Sequence, residues 1–250
     1  MGWRGSANAF GGVIWPVIGG FLGSWSWHLP FAAYLAGIPL AALALFVIPE
    51  AHKTHRSEQA GNESVWSILR TTPVLFFIYL LIFISSVLLY AIVVFIPPLL
   101  EEIGIHNTLY IGLFISVMGL ASGSTSFMYG RIKSRLSYGT IVLVSVAFWS
   151  VGFISISQTH SAVLIAASIA LFGIGQGMVS PACMVWVGEA APPSFRGRIS
   201  SYLGTFGFIG QFLSPVIFAP VVLIMGPWGV FLTAGAACGV LLVILALVRK

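Results

Sequence analysis

The chain has 250 residues, eleven of them Lys or Arg and six acidic, so 7% carry a formal charge against about 25% in a soluble domain. All six acids are glutamate; 58% of the chain is aliphatic, aromatic or Cys, and the mean hydropathy is +1.04. So few polar groups could not cover a water-soluble fold of this size, which excludes a soluble enzyme, a nucleic-acid-binding domain and a disordered chain. The net charge of +5 therefore reads as membrane topology.

Charge-free runs lie between Arg4 and Glu50, Arg70 and Glu101, Glu102 and Arg131, Arg135 and Glu189, and Arg198 and Arg249. A helix needs roughly 20 apolar residues to cross a hydrocarbon core. The second and third runs hold one crossing each and the other three hold two. The expectation is an all-α polytopic membrane protein with eight transmembrane helices. They are placed near 3–23, 29–48, 73–98, 108–131, 139–157, 162–186, 200–223 and 228–247. The long runs break at Ser24–Pro30, Gln158–Ser161 and Met225–Trp228, where Trp, Gly, Pro and polar residues suit interfacial turns.

With that alternation, all eleven basic residues fall on one side and the opposite loops carry only Glu101 and Glu102. The positive-inside rule makes the basic side cytoplasmic, with both termini there. No charged n-region with a small-residue cleavage site precedes the first helix, so a removable signal peptide is not expected. Asn62-Glu63-Ser64 fits a glycosylation acceptor but falls in a loop read as cytoplasmic.

Catalytic chemistry is sparse. All five His residues lie in loops or at helix ends, no H-E-x-x-H or G-x-S-x-G occurs, and no carboxylate lies deep in a span. Ser85, Ser86 and Ser122 read as interhelical hydrogen-bonding groups. Cys183 and Cys238 read as small apolar core residues. Gly173-Ile174-Gly175-Gln176-Gly177 does not complete G-x-G-x-x-G, because residue 178 is Met, and reads as a close helix contact. The sequence thus predicts neither an enzyme nor a metal site.

An offset of 199 residues superimposes the first helix on the seventh. Gly5 falls on Gly204, Gly11 on Gly210, Pro16 on Pro215, Val17 on Val216 and Ile18 on Ile217. Repeated bundles of helices are a transporter architecture. The stretch Gly11–Gly20 resembles the fifth-helix antiporter motif G-x-x-x-G-P-x-x-G-G of the major facilitator superfamily, drug:proton antiporter branch. Gly11, Pro16, Gly19 and Gly20 are its carriers here, and Trp15 replaces the glycine before the proline, which predicts crowding of a close helix contact. Gly130–Leu136 resembles the family's basic loop after the eighth helix, with Ser134 where an acid is common. Gly175-Gln176-Gly177 through Pro181, Glu189 and Arg196-Gly197-Arg198 resemble its tenth helix and following loop.

The resemblance implies a partial major facilitator fold holding family helices five to twelve, with the N-terminal four absent. Residues 1–48 would end the first half, 49–72 form a cytoplasmic linker, and 73–250 make a six-helix second half. It implies secondary transport of small molecules across the bilayer, by efflux of drugs or other amphipathic compounds, with a proton gradient and no cofactor. A nutrient uptake carrier and a transport-inactive membrane fragment are the alternatives. Asn8, Tyr90, Gln176, Met178, Phe206 and Gln211 are candidates for a substrate cavity. Arg131, Arg135, Glu189, Arg196 and Arg198 are candidates for a cytoplasmic gate, with Glu189 expected to pair with Arg131 or Arg135 when the transporter faces outward. Arg4 is read as snorkelling to the cytoplasmic interface.

Overall fold

A computed structural model describes residues 2–47 and 72–248. The described residues form helices and no strand. They comprise α1 (Gly2–Trp25), α2 (Leu29–Val47, with a 3-10 turn at Ala33–Ala36), α3 (Pro73–Glu102), α4 (Thr108–Phe127), a short α5 (Tyr129–Arg135), α6 (Tyr138–Ser157) and α7 (Ala162–Ala190). The last helical stretch, Arg196–Val248, breaks at Gly226, whose φ of 67° and ψ of −174° suit glycine alone. It is treated below as α8 (196–225) and α9 (227–248).

Six helical stretches among the described residues are long and apolar enough to cross a membrane. The 53-residue stretch among them is long enough for two crossings once divided at Gly226. The glycine-rich α1, 24 residues long, is not among the six, but by length it too could span. The eight predicted helices correspond to α1 to α4 and α6 to α9, while the short α5 is additional and several ends differ. Pro97 and Pro98 do not stop α3, which runs on to Glu102. The helix placed at 108–131 divides at Met128, so Arg131, Lys133 and Arg135 sit on the separate α5. The seventh helix begins at Arg196 rather than near 200. The proposed linker at 49–72 lies almost wholly outside the described residues.

The core is shared by α3, α4 and α6 to α9. Its largest fully buried side chains include Trp149, Phe153, Phe172 and Phe231. Phe153 lies edge-on to Phe172 at 5.2 Å and stacks on Phe231 at 5.8 Å, joining α6, α7 and α9 through preferred aromatic geometries. Cys183 and Cys238 are buried free thiols. Against these large residues stand helix pairs that meet backbone to backbone. A Cβ on Gly173 would lie 2.6 Å from the Met118 carbonyl, and one on Gly177 would strike the Ser122 carbonyl. One on Gly175 would lie 2.9 Å from the Ser145 carbonyl. The glycine run at 173–177 is therefore the expected packing device, with alternate members facing α4 and α6.

Interhelical hydroxyl bonds satisfy several buried side chains, while Tyr129 Oη, Ser145 Oγ and Trp149 Nε1 are buried without a hydrogen-bond partner. Ser214 Oγ donates to Val87 O at 2.7 Å, Ser150 Oγ to Gly235 O at 2.9 Å, and Tyr79 Oη to Ile199 O at 2.8 Å. In hydrocarbon each such hydroxyl needs a protein acceptor, because no water is available.

Candidate functional site

The closest contact between α1 and the rest of the bundle is its seam with α4. Proline has no N–H, so Pro16 deprives the Gly12 carbonyl of its helical donor. That carbonyl faces Gly119, where a Cβ would lie 2.5 Å from the oxygen. With only hydrogens on its Cα, Gly119 makes a Cα–H contact there instead. One turn along, a Cβ on Gly112 would strike the Pro16 carbonyl, and a Cβ on Gly20 would lie 2.5 Å from the Thr108 carbonyl. Two hydroxyls fasten the seam: Ser116 Oγ donates to Val13 O at 2.7 Å, and Thr108 Oγ1 to Gly20 O at 2.9 Å.

This geometry corrects the sequence reading in two respects. Positions 12, 16 and 20 share a stripe at helical spacing, so Pro16 and Gly20 belong to the seam together with Gly12. Gly11 and Gly19 do not: a Cβ on Gly11 meets only the Trp15 side chain, and one on Gly19 meets nothing within 4 Å. Trp15 does not crowd the seam either. It lies about 100° around the helix from Pro16 and is 53% exposed. The complementary residues on α4, Gly112, Ser116 and Gly119, were missed; their small-residue spacing was the available signal.

The basic residues of α5 to α8 gather at one end of the bundle. Arg131, Arg135, Arg196 and Arg198 are exposed there, and Arg196 Nε donates to the Ala191 carbonyl at 3.3 Å. Glu189 lies in the last turn of α7. Its partner is not an arginine: Tyr138 Oη donates to Glu189 Oε2 at 2.9 Å. Tyr138 stacks on Trp186 at 4.6 Å with its ring nearly parallel, and Lys133 Nζ lies 4.0 Å from the centre of the Tyr138 ring. A tyrosine thus stands between the acid and the cation, and the expected Glu189–Arg131 or Glu189–Arg135 pair is not formed. Beside them Tyr129 is buried, and its hydroxyl has no hydrogen-bond partner. Burial first, then the nearby Glu189, pushes the Tyr129 phenol up to about 12.

The cavity candidates do not converge. Gln176 is buried and accepts a hydrogen bond at Oε1 from Ser85 Oγ at 2.8 Å, joining α7 to α3. Met178 is also buried, but two residues along the helix it packs with Tyr129, Ile141 and Ala182. Phe206 stacks on Tyr79 at 5.1 Å and lines an almost wholly apolar groove of about 230 Å³ with Phe76, Leu80, Phe83 and Ile209. Tyr90 and Gln211 are half-buried on α3 and α8 and lie outside that groove. The side chains of Asn8 and Arg4 fall outside the described residues. A second, more polar hollow between the ends of α1 and α4 is lined by Gly23, Ser24, His106, Asn107 and Thr108. No group of three His, Cys, Asp or Glu residues suited to a metal occurs among the described residues.

Comparison with known proteins places this bundle. The bacillibactin exporter of Bacillus subtilis (strain 168) is 25% identical over 250 residues, covering 97% of this chain and 61% of its own length. The class B tetracycline resistance protein of Escherichia coli is 28% identical, covering 87% of this chain and 57% of its own. The multidrug resistance protein MdtG of Klebsiella pneumoniae (strain 342) is 26% identical, covering 94% and 59%. The chain therefore spans about three-fifths of the length of these relatives. Family-level similarity to the Major Facilitator Superfamily covers residues 1–215 and, in a second alignment, 111–250. An integral membrane helix bundle whose sequence matches that family throughout, this chain belongs to the Major Facilitator Superfamily.

Proposed function

We propose that the chain is the greater part of a secondary transporter that exports small amphipathic compounds in exchange for protons. The observation that carries this reading is the seam of α1 and α4, where Gly12, Pro16 and Gly20 meet Gly119, Gly112 and Thr108 at backbone distance. If residues 1–48 end one half of the molecule and residues 73–250 form the other, that seam is where the halves meet. Alternating access then rocks one half against the other. The three relatives described above, whose names concern export or resistance, support efflux over uptake.

In this reading the ends rich in Arg and Lys face the cytoplasm, in a bacterial cell membrane. Ser85 fixes the oxygen of Gln176, which leaves the amide nitrogen of Gln176 to donate to a substrate. The apolar groove beside Phe206 supplies surface for a lipophilic one. Energy comes from the proton gradient, with no bound cofactor.

The test is accumulation of a cationic fluorescent dye by everted membrane vesicles containing the protein. Uptake that begins on energisation and collapses on adding an uncoupler is the expected result. Absence of gradient-dependent movement across several dyes of different shape counts against drug export. Gradient-dependent movement of a sugar acid in the opposite direction would replace export by nutrient uptake.

A further inference from the structure

At the end of the bundle opposite the arginines, three loops bring together a carboxylate, an indole and an imidazole. The C-terminus of α3 is closed by Gly104 in the left-handed region, with Ile105 N donating back to Leu100 O at 2.9 Å. That turn leaves Glu101 and Glu102 in the last turn of the helix. The break at Gly226 and Pro227 sets Trp228 at the start of α9. Trp228 Nε1 donates to Glu102 Oε2 at 2.6 Å, a charge-assisted bond between residues 126 apart in sequence. On the same indole lies His160, from the turn between α6 and α7, with ring centres 4.6 Å apart and planes 40° apart.

The geometry points to a proton-operated latch that closes this end of the bundle. Neutral His160 contributes an ordinary ring contact. When its free ring nitrogen takes a proton, the imidazolium gains a cation–π attraction to Trp228 and an electrostatic attraction to Glu102, which the same indole holds. The one protonation draws the α6–α7 turn, the start of α9 and the end of α3 towards each other. Acidity on that side therefore tightens the latch. The other titratable groups of these loops are Glu101, which adds to the attraction, and His106, whose own protonation would oppose it; no Lys or Arg lies in them. His28, in the α1–α2 turn, stacks on Trp27 at 3.5 Å and forms a separate imidazole–indole pair.

This inference does not require the transport reading, and it is tested by fluorescence rather than by flux. The whole chain carrying W27F, which removes the other stacked pair, is titrated from pH 8 to pH 5 in detergent or liposomes. Trp228 emission is expected to fall as the stacked imidazolium forms on acidification. W228F or H160Q should abolish that component, and E102Q should move it to lower pH. Hydrogen exchange of 158–161 and 226–229, corrected for intrinsic rates, should be severalfold slower at pH 5.5 than at pH 7.5, and H160Q should remove the difference. An emission titration that survives H160Q overturns the proposal. So does a midpoint insensitive to E102Q, or proton binding with unchanged exchange, since the proton would then bind without closing anything.

Discussion

The hydroxyl of Ser126, on α4, donates at 3.0 Å to the carbonyl oxygen of Gly177, on α7. That carbonyl stands four residues before Pro181, which has no N–H to offer it. The Gly12 carbonyl, four residues before Pro16, is covered by Gly119 of the same helix. One helix thus attends to both proline-orphaned carbonyls, on α1 and on α7. Ser126→Ala leaves the second acceptor bare in a water-poor interface. The expected cost is about 1 kcal/mol, read from reversible unfolding in mixed micelles, and an unchanged stability would show that water reaches this carbonyl.

The α1–α4 seam separates motif glycines that matter from those that do not. Gly119→Ala and Gly112→Ala place a methyl against the backbone of α1, which cannot yield as a side chain can. Each is expected to part the two helices and to cost about 1–3 kcal/mol. Gly19→Ala meets open space and, within a helix, should be neutral or stabilising by up to about 1 kcal/mol. Interspin distances between labels on α1 and α4 would read the separation directly. Equal effects from Gly19→Ala and Gly119→Ala would show that the seam lies on another face.

For Ser85 and Gln176 the expected result is coupling. Each single alanine substitution removes the same hydrogen bond, so the double variant should be less destabilised than the two singles added together. Bonds of this kind between membrane helices average about 0.6 kcal/mol and reach about 1.7. If Gln176 also donates to substrate, Gln176→Ala should weaken dye binding more than Ser85→Ala does. Strict additivity in stability would remove the pairing.

Tyr129 gives a prediction about alkaline pH. Its phenol is raised from the model-compound value of 10.0 to about 12 by burial and by Glu189. Between those values the folded chain keeps a proton that the unfolded chain has lost. The stability linked to this group is therefore fully present below pH 10 and declines as pH rises through about 12. Tyr129→Phe should remove that component of the decline. Because it also deletes a buried hydroxyl without a partner, it should leave stability at neutral pH unchanged or raise it. A clear loss at pH 7 would reveal a partner for the hydroxyl.

Much of the fold was legible from where charges are missing. Arg, Lys and Glu mark the ends of the spans because burying them in hydrocarbon is costly, and Gly226-Pro227 marks a break because glycine tolerates the required backbone angles. Which face of each helix packs was not legible. In water a buried stripe contrasts with a polar one, but here exposed Phe208 and buried Phe231 are equally apolar. The reading of Trp15 failed for this reason, since the motif's letters fix its neighbours in sequence and not its direction. The acid–arginine pairing failed for another. Tyr138 is close to Glu189 only through the folding of α6 against α7, and nothing in its local sequence announces that. Of the serines read as interhelical groups, Ser85 bonds across helices to Gln176, while the side chains of Ser86 and Ser122 make no hydrogen bond to another helix among the described residues.

The alternation of small residues along α4 has a mechanical consequence. Gly112, Ser116 and Gly119 face α1, while Ala121, Ser122, Thr125 and Ser126 lie towards α7. The face towards α1 carries no long side chain at the seam, whereas Ile111 and Met118 carry α4 into the shared core. A helix packed by large knobs must change rotamers to shift by a fraction of a turn, and the dense packing around it resists. A helix bounded by hydrogens and short hydroxyls loses little side-chain entropy on docking and slides on smooth surfaces. Displacement of α4 along α1 would thus be resisted less by side-chain packing than by the two hydroxyl bonds from Ser116 and Thr108, which must break before one carbonyl contact is exchanged for the next.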